Sequence, residues 1–414
     1  MNKDKLNYLL YKYLTKRNII ITCISLFVGI VFYIAFSFYQ ISERIAYVNS
    51  YVSDKNYTFY ELRKDPFYDN NVYYYDFDDK NALSLTDIKI IHFLKLPVET
   101  KLNIAQYLID RGYVNDADKL LDTVPDEGEL LRKKFNIYNE RLNKNDDAVF
   151  YNKKIQLLKK LIKIESNVPD HYYYMAKIKF EHADEDTRQK QYQDWIKDAE
   201  IAIEYMKKRG LYNDKYIDMK INCYKLICDI LDSVKNMSAM DKIYALTDYI
   251  ECKGFRDGLY NADMEYEYFK LADLCKQVNR PGDQINAYKS VILCNPLNDM
   301  AYWHIANVYE FFSPEFNGFL KMSTAVKEKS YSTCEEAINI SKKYDLGIEF
   351  AGYIVMGDID ASLGNNKEAK LNYEKALDTL YNFNDGEFGV SYDSNIRKLI
   401  EKKQEKLIKQ NQNN

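Results

Sequence analysis

The stretch GYIVMGDIDASLGNNKEAKLNYEKAL, Gly352 to Leu377, reads as two short helices joined by a polar bend. Apolar and small residues recur at helical spacing on both sides of Gly364. Gly364 itself suits the left-handed backbone that ends a helix. Neither helix can bury its apolar stripe against the other alone, so the hairpin must pack against something more.

The same grammar recurs upstream. YFKLADLC places Tyr268, Leu271, Ala272 and Cys275 where YWHIANVY places Tyr302, Ile305, Ala306 and Tyr309. Tyr268 and Tyr302 are 34 positions apart, with Tyr288, Val291 and Pro296 in phase between them. Pro169, Tyr172, Met175 and Ala176 fall in register further back, as do Ile104, Ala105, Leu108, Gly112, Ala117 and Leu121. Tyr302 and Tyr353 are 51 positions apart, so the segment between them carries a lengthened or inserted second arm. In its spacing, its Gly357 and Gly364, and its Ala369, Tyr373 and Ala376, the pattern resembles the tetratricopeptide repeat, a 34-residue helix-turn-helix unit. Asp360 departs from it, because the family prefers a large aromatic there. The resemblance implies an all-α fold: a right-handed superhelical solenoid of antiparallel helix pairs, about seven of them, over residues 96–380. Residues 381–414 then supply a capping helix, with Ile396, Leu399, Ile400 and Leu407 on one side, and a polar tail.

Composition agrees with a helical protein. The 414 residues are 47% hydrophobic and 29% charged, with only 14 Gly and 7 Pro. A formal net charge of −4 gives no electrostatic reason to expect nucleic acid. The 39 tyrosines, alongside many Asn, Lys and Ile, reflect an AT-rich coding sequence more than a function.

Ile19 to Tyr39 carries no charge, and its helical length of about 31 Å matches a hydrocarbon core of about 30 Å. The sequence therefore predicts a transmembrane helix over residues 19–40. Lys3, Lys5, Lys12, Lys16 and Arg17 precede it, whereas Arg44 and Lys55 are the cations of the next 20 residues. This asymmetry puts the 1–18 tail in the cytoplasm and the bulk in the periplasm or outside the cell. A cleaved signal peptide is the alternative, with Ala35-Phe36-Ser37 its best cleavage candidate. Residues 41–95 read as a juxtamembrane stalk and an irregular connector, the latter over 54–83. Ser25 with Gly29, and Ile41, Ile45, Val48 and Val52 at coiled-coil spacing, raise a homodimer through membrane helix and stalk. Asp76, Asp78 and Asp79 lack the spacing of a calcium loop, and Ser84 to Asp87 reads as a capping box.

No metal-binding, phosphate-binding or nucleophile motif surrounds His92, His171, His182 or His304. The six cysteines beyond the membrane segment are scattered without metal spacing. The sequence predicts no cofactor, no metal and no catalytic site. In the resembling family the first helix of each hairpin lines a concave groove. Carried onto this chain, the groove positions are Tyr173, Lys177 and Phe180; Tyr266, Phe269 and Asp273; Met300, Trp303, Asn307 and Phe311; and Ile354 and Asp358. Tyr173, Phe269 and Trp303 share one position, where large aromatics suit anchoring of a peptide. The expectation is a membrane-anchored scaffold for other proteins or peptide segments, of the kind that accompanies a bacterial translocon, secretion system or motility machine. The rival expectation is an exported helical enzyme or chaperone-like factor with residues 312–345 as a lid.

Overall fold

The computed structural model describes residues 3–62, 83, 85–141, 148–209, 214–309, 313–380 and 393–412. Residues 63–82, with Asp76, Asp78 and Asp79, lie outside the described residues, as do Ser84 and Phe311. The described chain consists of helices joined by short turns, with no strand among the described residues. It divides into two compact units, Met1–Ser166 and Asn167–Asn414, where the sequence reading draws one repeat domain over 96–380.

The first unit holds α1 (Lys3–Leu62), α2 (Leu85–Ile91), α3 (Val98–Asp110), α4 (Val114–Asp122), α5 (Gly128–Arg141) and α6 (Ala148–Ile164). α3 packs on α4 and α5 on α6, as hairpins. α1 is one continuous helix, where the sequence suggests a break into stalk and connector near residue 54. No glycine or proline interrupts the chain between Gly29 and Pro66, so nothing forces the helix to stop earlier.

The coiled-coil stripe of α1 is already covered. Ile41, Val48 and Val52 are buried within this unit, and α1 packs on α3. Arg44 pairs with Asp87 of α2, and Asn103 of α3 donates to Asn49 at 3.0 Å. Burying each aliphatic side chain is worth about 1.5–3 kcal/mol. The stripe proposed for self-association therefore closes the open face of the first hairpin and is spent within the chain.

The second unit holds α7 (Pro169–Glu181), α8 (Glu185–Lys208), α9 (Asp214–Ser233), α10 (Ala239–Asp257), α11 (Glu265–Gln277), α12 (Pro281–Cys294), α13 (Asp299–Val308), α14 (Pro314–Glu328), α15 (Tyr331–Tyr344), α16 (Glu349–Ser362), α17 (Asn366–Leu380) and α18 (Asp393–Gln412). Consecutive helices pair as α7/α8, α9/α10, α11/α12, α13/α14 and α16/α17, which makes this an all-α stack of antiparallel hairpins. α15 is the odd member, and it accounts for the surplus between Tyr302 and Tyr353. α18 packs on α17 and also reaches α12, burying Ile396, Ile400 and Leu407.

Two tyrosines one repeat apart hold the turns in phase. The Tyr268 hydroxyl donates to the Leu259 carbonyl at 3.0 Å, and that of Tyr302 to the Pro296 carbonyl at 3.2 Å. Glu265, opening α11, accepts from Asn295 and Asn298 in the turn before α13. These bonds give buried and part-buried polar groups of the turns their partners.

The deciding stretch forms α16 and α17. Gly364 has φ +79°, and the Asn365 N–H reaches the Asp360 carbonyl at 2.9 Å while the Gly364 N–H reaches that of Ala361 at 3.2 Å. That is a Schellman end, which needs a left-handed residue. A Cβ on Gly357 would stand 2.6 Å from Cδ1 of Tyr373, and one on Gly352 would stand 2.7 Å from Cγ1 of Ile338. Two glycines thus let α16 approach α17 on one side and α15 on another. Tyr373 packs back on its own hairpin, against Gly357, and bonds Asp358. Asp360 is buried and accepts from Asn372 Nδ2 at 2.8 Å, while Asn372 also bonds Tyr331 at 3.3 Å. A buried polar link across α15, α16 and α17 replaces the aromatic that the repeat pattern prefers.

Residues 314–344 are not a lid. Phe319, Met322, Ala325, Cys334, Ala337 and Ile338 are buried in the common core, so moving this segment would expose the core to water.

Gly357→Ala is expected to destabilise the chain by about 1–3 kcal/mol, because the added methyl meets the Tyr373 ring. Thermal unfolding of the variant measures this. Combining it with Tyr373→Leu should cost less than the sum of the two single changes, because the clash and the ring are one interaction.

Candidate functional site

The first helices of two successive hairpins, α11 and α13, carry Tyr266, Phe269 and Asp273, and Met300, Trp303 and Asn307, on neighbouring surfaces. Each trio is spaced three and then four residues apart, so it forms one stripe along its helix. Tyr266 is 75% exposed, Met300 48% and Trp303 44%. Large apolar side chains at such exposure are worth explaining when they cluster.

An aromatic stack supports them. The His304 ring lies parallel to Tyr288 at 4.8 Å between centroids. Phe269 meets Tyr288 edge-on at 5.7 Å and His304 at 6.2 Å, and Trp303 meets His304 at 5.1 Å. Phe269 and Trp303 are therefore joined through His304. Phe269 is half-buried and packs on the core, whereas Trp303 presents one face to solvent. Asp273 is exposed beside Tyr288 and His304. Burial pushes the Tyr288 hydroxyl above its ordinary range and holds His304 below its ordinary pKa, Asp273 opposing the latter shift. His304 is thus held towards its neutral form. Tyr288 and His304 were not among the expected site residues. His304 directly follows Trp303, and Tyr288 sits in phase on the second helix, but their stacking arises only when α12 and α13 meet.

Other expected groove residues lie elsewhere. Ile354 is fully buried, because α14, α15 and α17 all pack on α16 and every residue from Glu349 to Gly357 is covered. A partner cannot reach it. Asp358 accepts from Tyr373 at 2.8 Å and from Lys403 of α18 at 2.6 Å. It anchors the terminal helix, so it is not a free groove carboxylate. Phe180 packs on Trp195 of α8 with Arg188 against its ring. Tyr173 is half-buried against Tyr174, and its hydroxyl is raised by burial and by nearby Cys223. Lys177 stays near Glu181 on its own helix, at 3.7 Å. The expected set is brought together only on α11 and α13.

The cysteines are not disposed for nucleophilic chemistry. Cys223, Cys228, Cys252, Cys275, Cys294 and Cys334 are buried and free. Burial pushes the thiols of Cys223, Cys228 and Cys334 up to about 12, so they are not thiolates at neutral pH. Among the described residues no group of His, Cys, Asp and Glu is placed to hold a metal ion.

The His304 shift has a signed consequence. A folded pKa below the unfolded one means that the unfolded chain binds the proton more readily. Stability is full above the unfolded value, about 6.5, and falls as pH drops from there towards the folded value. The melting temperature should therefore decrease on going from pH 7.5 to pH 5, and His304→Gln should reduce that decrease. Thermal scans of both proteins across this range measure it.

No protein-family model and no curated protein matches the chain. Among solved structures it is similar to a signal transduction ATPase with numerous domains, carrying a tetratricopeptide repeat sensor, from Pyrococcus horikoshii. That likeness has 15% identity and a TM-score of 0.30, over 78% of this chain and 46% of the other. The chain therefore spans less than half the length of that protein. It is also similar, at 12% identity and a TM-score of 0.20, to the tetratricopeptide repeat domain of P58(IPK), over 77% of this chain and 99% of that one.

Proposed function

We propose that this chain is a membrane-anchored scaffold that holds a segment of another protein on the exposed stripes of α11 and α13. The observation that carries this reading is the set Tyr266, Met300 and Trp303, exposed on two successive first helices beside an aromatic stack. Aromatic side chains lose little conformational freedom on binding and dominate interface energetics. Asp273 and Asn307 flank them with polar groups that orient a bound segment. The half-buried Phe269 supports the surface from beneath.

The anchor reading rests on α1. The described stretch Ile24–Ser50 is long and apolar enough to cross a membrane. Leu26, Phe27, Phe32 and Tyr33 are among its most exposed side chains, while Ile41, Val48 and Val52 are covered by protein. Exposed aromatics before residue 40 suit lipid, and the same helix then enters the first hairpin without a flexible joint. With the cationic tail inside, the helical stack lies in the periplasm or outside the cell, as part of a bacterial envelope assembly such as a translocon, secretion or motility complex. α1's spent stripe removes the stalk as a dimer contact and leaves Ser25 with Gly29 as the remaining small-residue pair for one.

Trp303→Ala is expected to weaken co-purification of the partner from solubilised membranes by about 30-fold in affinity, which corresponds to about 2 kcal/mol. Its melting temperature should stay near the parent's, because the side chain is exposed. Tyr288→Ala should lower the melting temperature first. Retained binding by folded Trp303→Ala protein removes this surface from the reading. For topology, protease added to intact spheroplasts should digest the chain beyond about residue 41. Protection of the whole chain reverses the orientation.

A further inference from the structure

A second surface lies away from the aromatic stack. α8, α9 and α10 line an open cleft of about 510 Å³. Ile203, Ile227 and Leu231 in its lining are apolar and buried. Its rim carries the exposed carboxylates Glu200, Glu204, Asp241 and Asp248 against a single cation, Lys207. Glu204 pairs with Lys208 at 2.6 Å. Glu200, Asp241 and Asp248 have no cationic partner among the described residues. Unneutralised carboxylates on both sides of an apolar floor make a site that favours positive charge beside an apolar face.

The lining residues of α8 run from Tyr192 to Lys207. At about 1.5 Å per residue this wall is about 22 Å long, or about four helical turns. No strand edge exists among the described residues to satisfy the amides of an extended peptide, whereas a helix satisfies its own. The chain already uses this form of recognition once. The basic α18 buries Ile396, Ile400 and Leu407, and sets Lys403 on Asp358 at 2.6 Å. That helix is itself spent, so it does not occupy the cleft.

We propose that the cleft lined by α8, α9 and α10 binds a basic amphipathic helix, about four turns long, from a partner protein. Its apolar stripe sits on Ile203, Ile227 and Leu231, and its flanking Lys or Arg residues meet Glu200, Asp241 and Asp248. Tyr244, 63% exposed at the rim, closes over the bound helix.

The test uses the full chain in nanodiscs of zwitterionic lipid, with the signal of empty discs subtracted. The probe is a fluorescein-labelled Leu/Lys peptide of about 15 residues, patterned to form one apolar stripe flanked by lysines. Two comparators replace its lysines by glutamates, or place two prolines in its interior. Fluorescence anisotropy should show binding of the Leu/Lys peptide alone, weakening as salt is raised. The triple variant Glu200→Gln, Asp241→Asn, Asp248→Asn should bind it about tenfold more weakly. These are exposed positions, so circular dichroism should show an unchanged fold. Tyr244→Ala should also weaken binding, and Trp303→Ala should leave it unchanged, which separates this cleft from the stripe on α11 and α13. No binding by the parent, equal binding by the triple variant, or equal binding of the glutamate or proline peptide overturns the proposal. So does a loss seen only with Trp303→Ala, which would send the probe to the aromatic stripe.

Discussion

A helical hairpin has two apolar faces and only one internal contact, so every hairpin in this chain depends on a neighbour to cover the other face. That constraint explains the ends of the described structure as well as its middle. In the first unit, Ile41, Val48 and Val52 of α1 cover the hairpin that begins at α3. In the second, α18 covers α17 through Ile396, Ile400 and Leu407, and Lys403 ties it to Asp358. Both covering helices would otherwise read as a stalk and a tail. Each is an integral layer, because an uncovered terminal hairpin leaves aliphatic side chains in water at about 1.5–3 kcal/mol apiece.

The inserted helix α15 changes what its neighbours can do. A regular stack leaves one face of each first helix open. With α14, α15 and α17 all packed on it, α16 has no open face over its first two turns. Gly352 and Gly357 make this possible by admitting Ile338 and Tyr373 to near-backbone distance. The polar link of Asp360, Asn372 and Tyr331 sits where the three helices meet. A buried carboxylate is costly unless hydrogen-bonded, so the link fixes the register of α15 as well as filling space. The same covering withdraws Ile354 from any surface.

Among the described residues, two surfaces differ in chemistry. The stripe on α11 and α13 is aromatic and adjoins the Tyr288 and His304 stack, where burial lowers the His304 pKa. The cleft of α8 to α10 is apolar below and acidic at the rim. Under the two proposals, surfaces of different character would hold unlike segments without competition between them.

The helical class, the hairpin phase and the apolar membrane-length segment were legible from the sequence because each rests on local spacing. Tyr268 and Tyr302 stand 34 apart because each tethers the turn before its own helix. Gly364 announces a helix end because only a left-handed residue closes it. That Tyr266, Met300 and Trp303 share positions on successive first helices was legible for the same reason, but their exposure was not. What the sequence could not decide was which faces stay open. Ile354 and Trp303 occupy related repeat positions, yet one is buried and the other exposed, because α15 adds a layer over only one of them. The stripe from Ile41 to Val52 has a coiled-coil period, but α3, more than 40 residues away, takes it before a second chain can. Periodicity specifies that a face is apolar; only the packing of distant helices specifies what covers it.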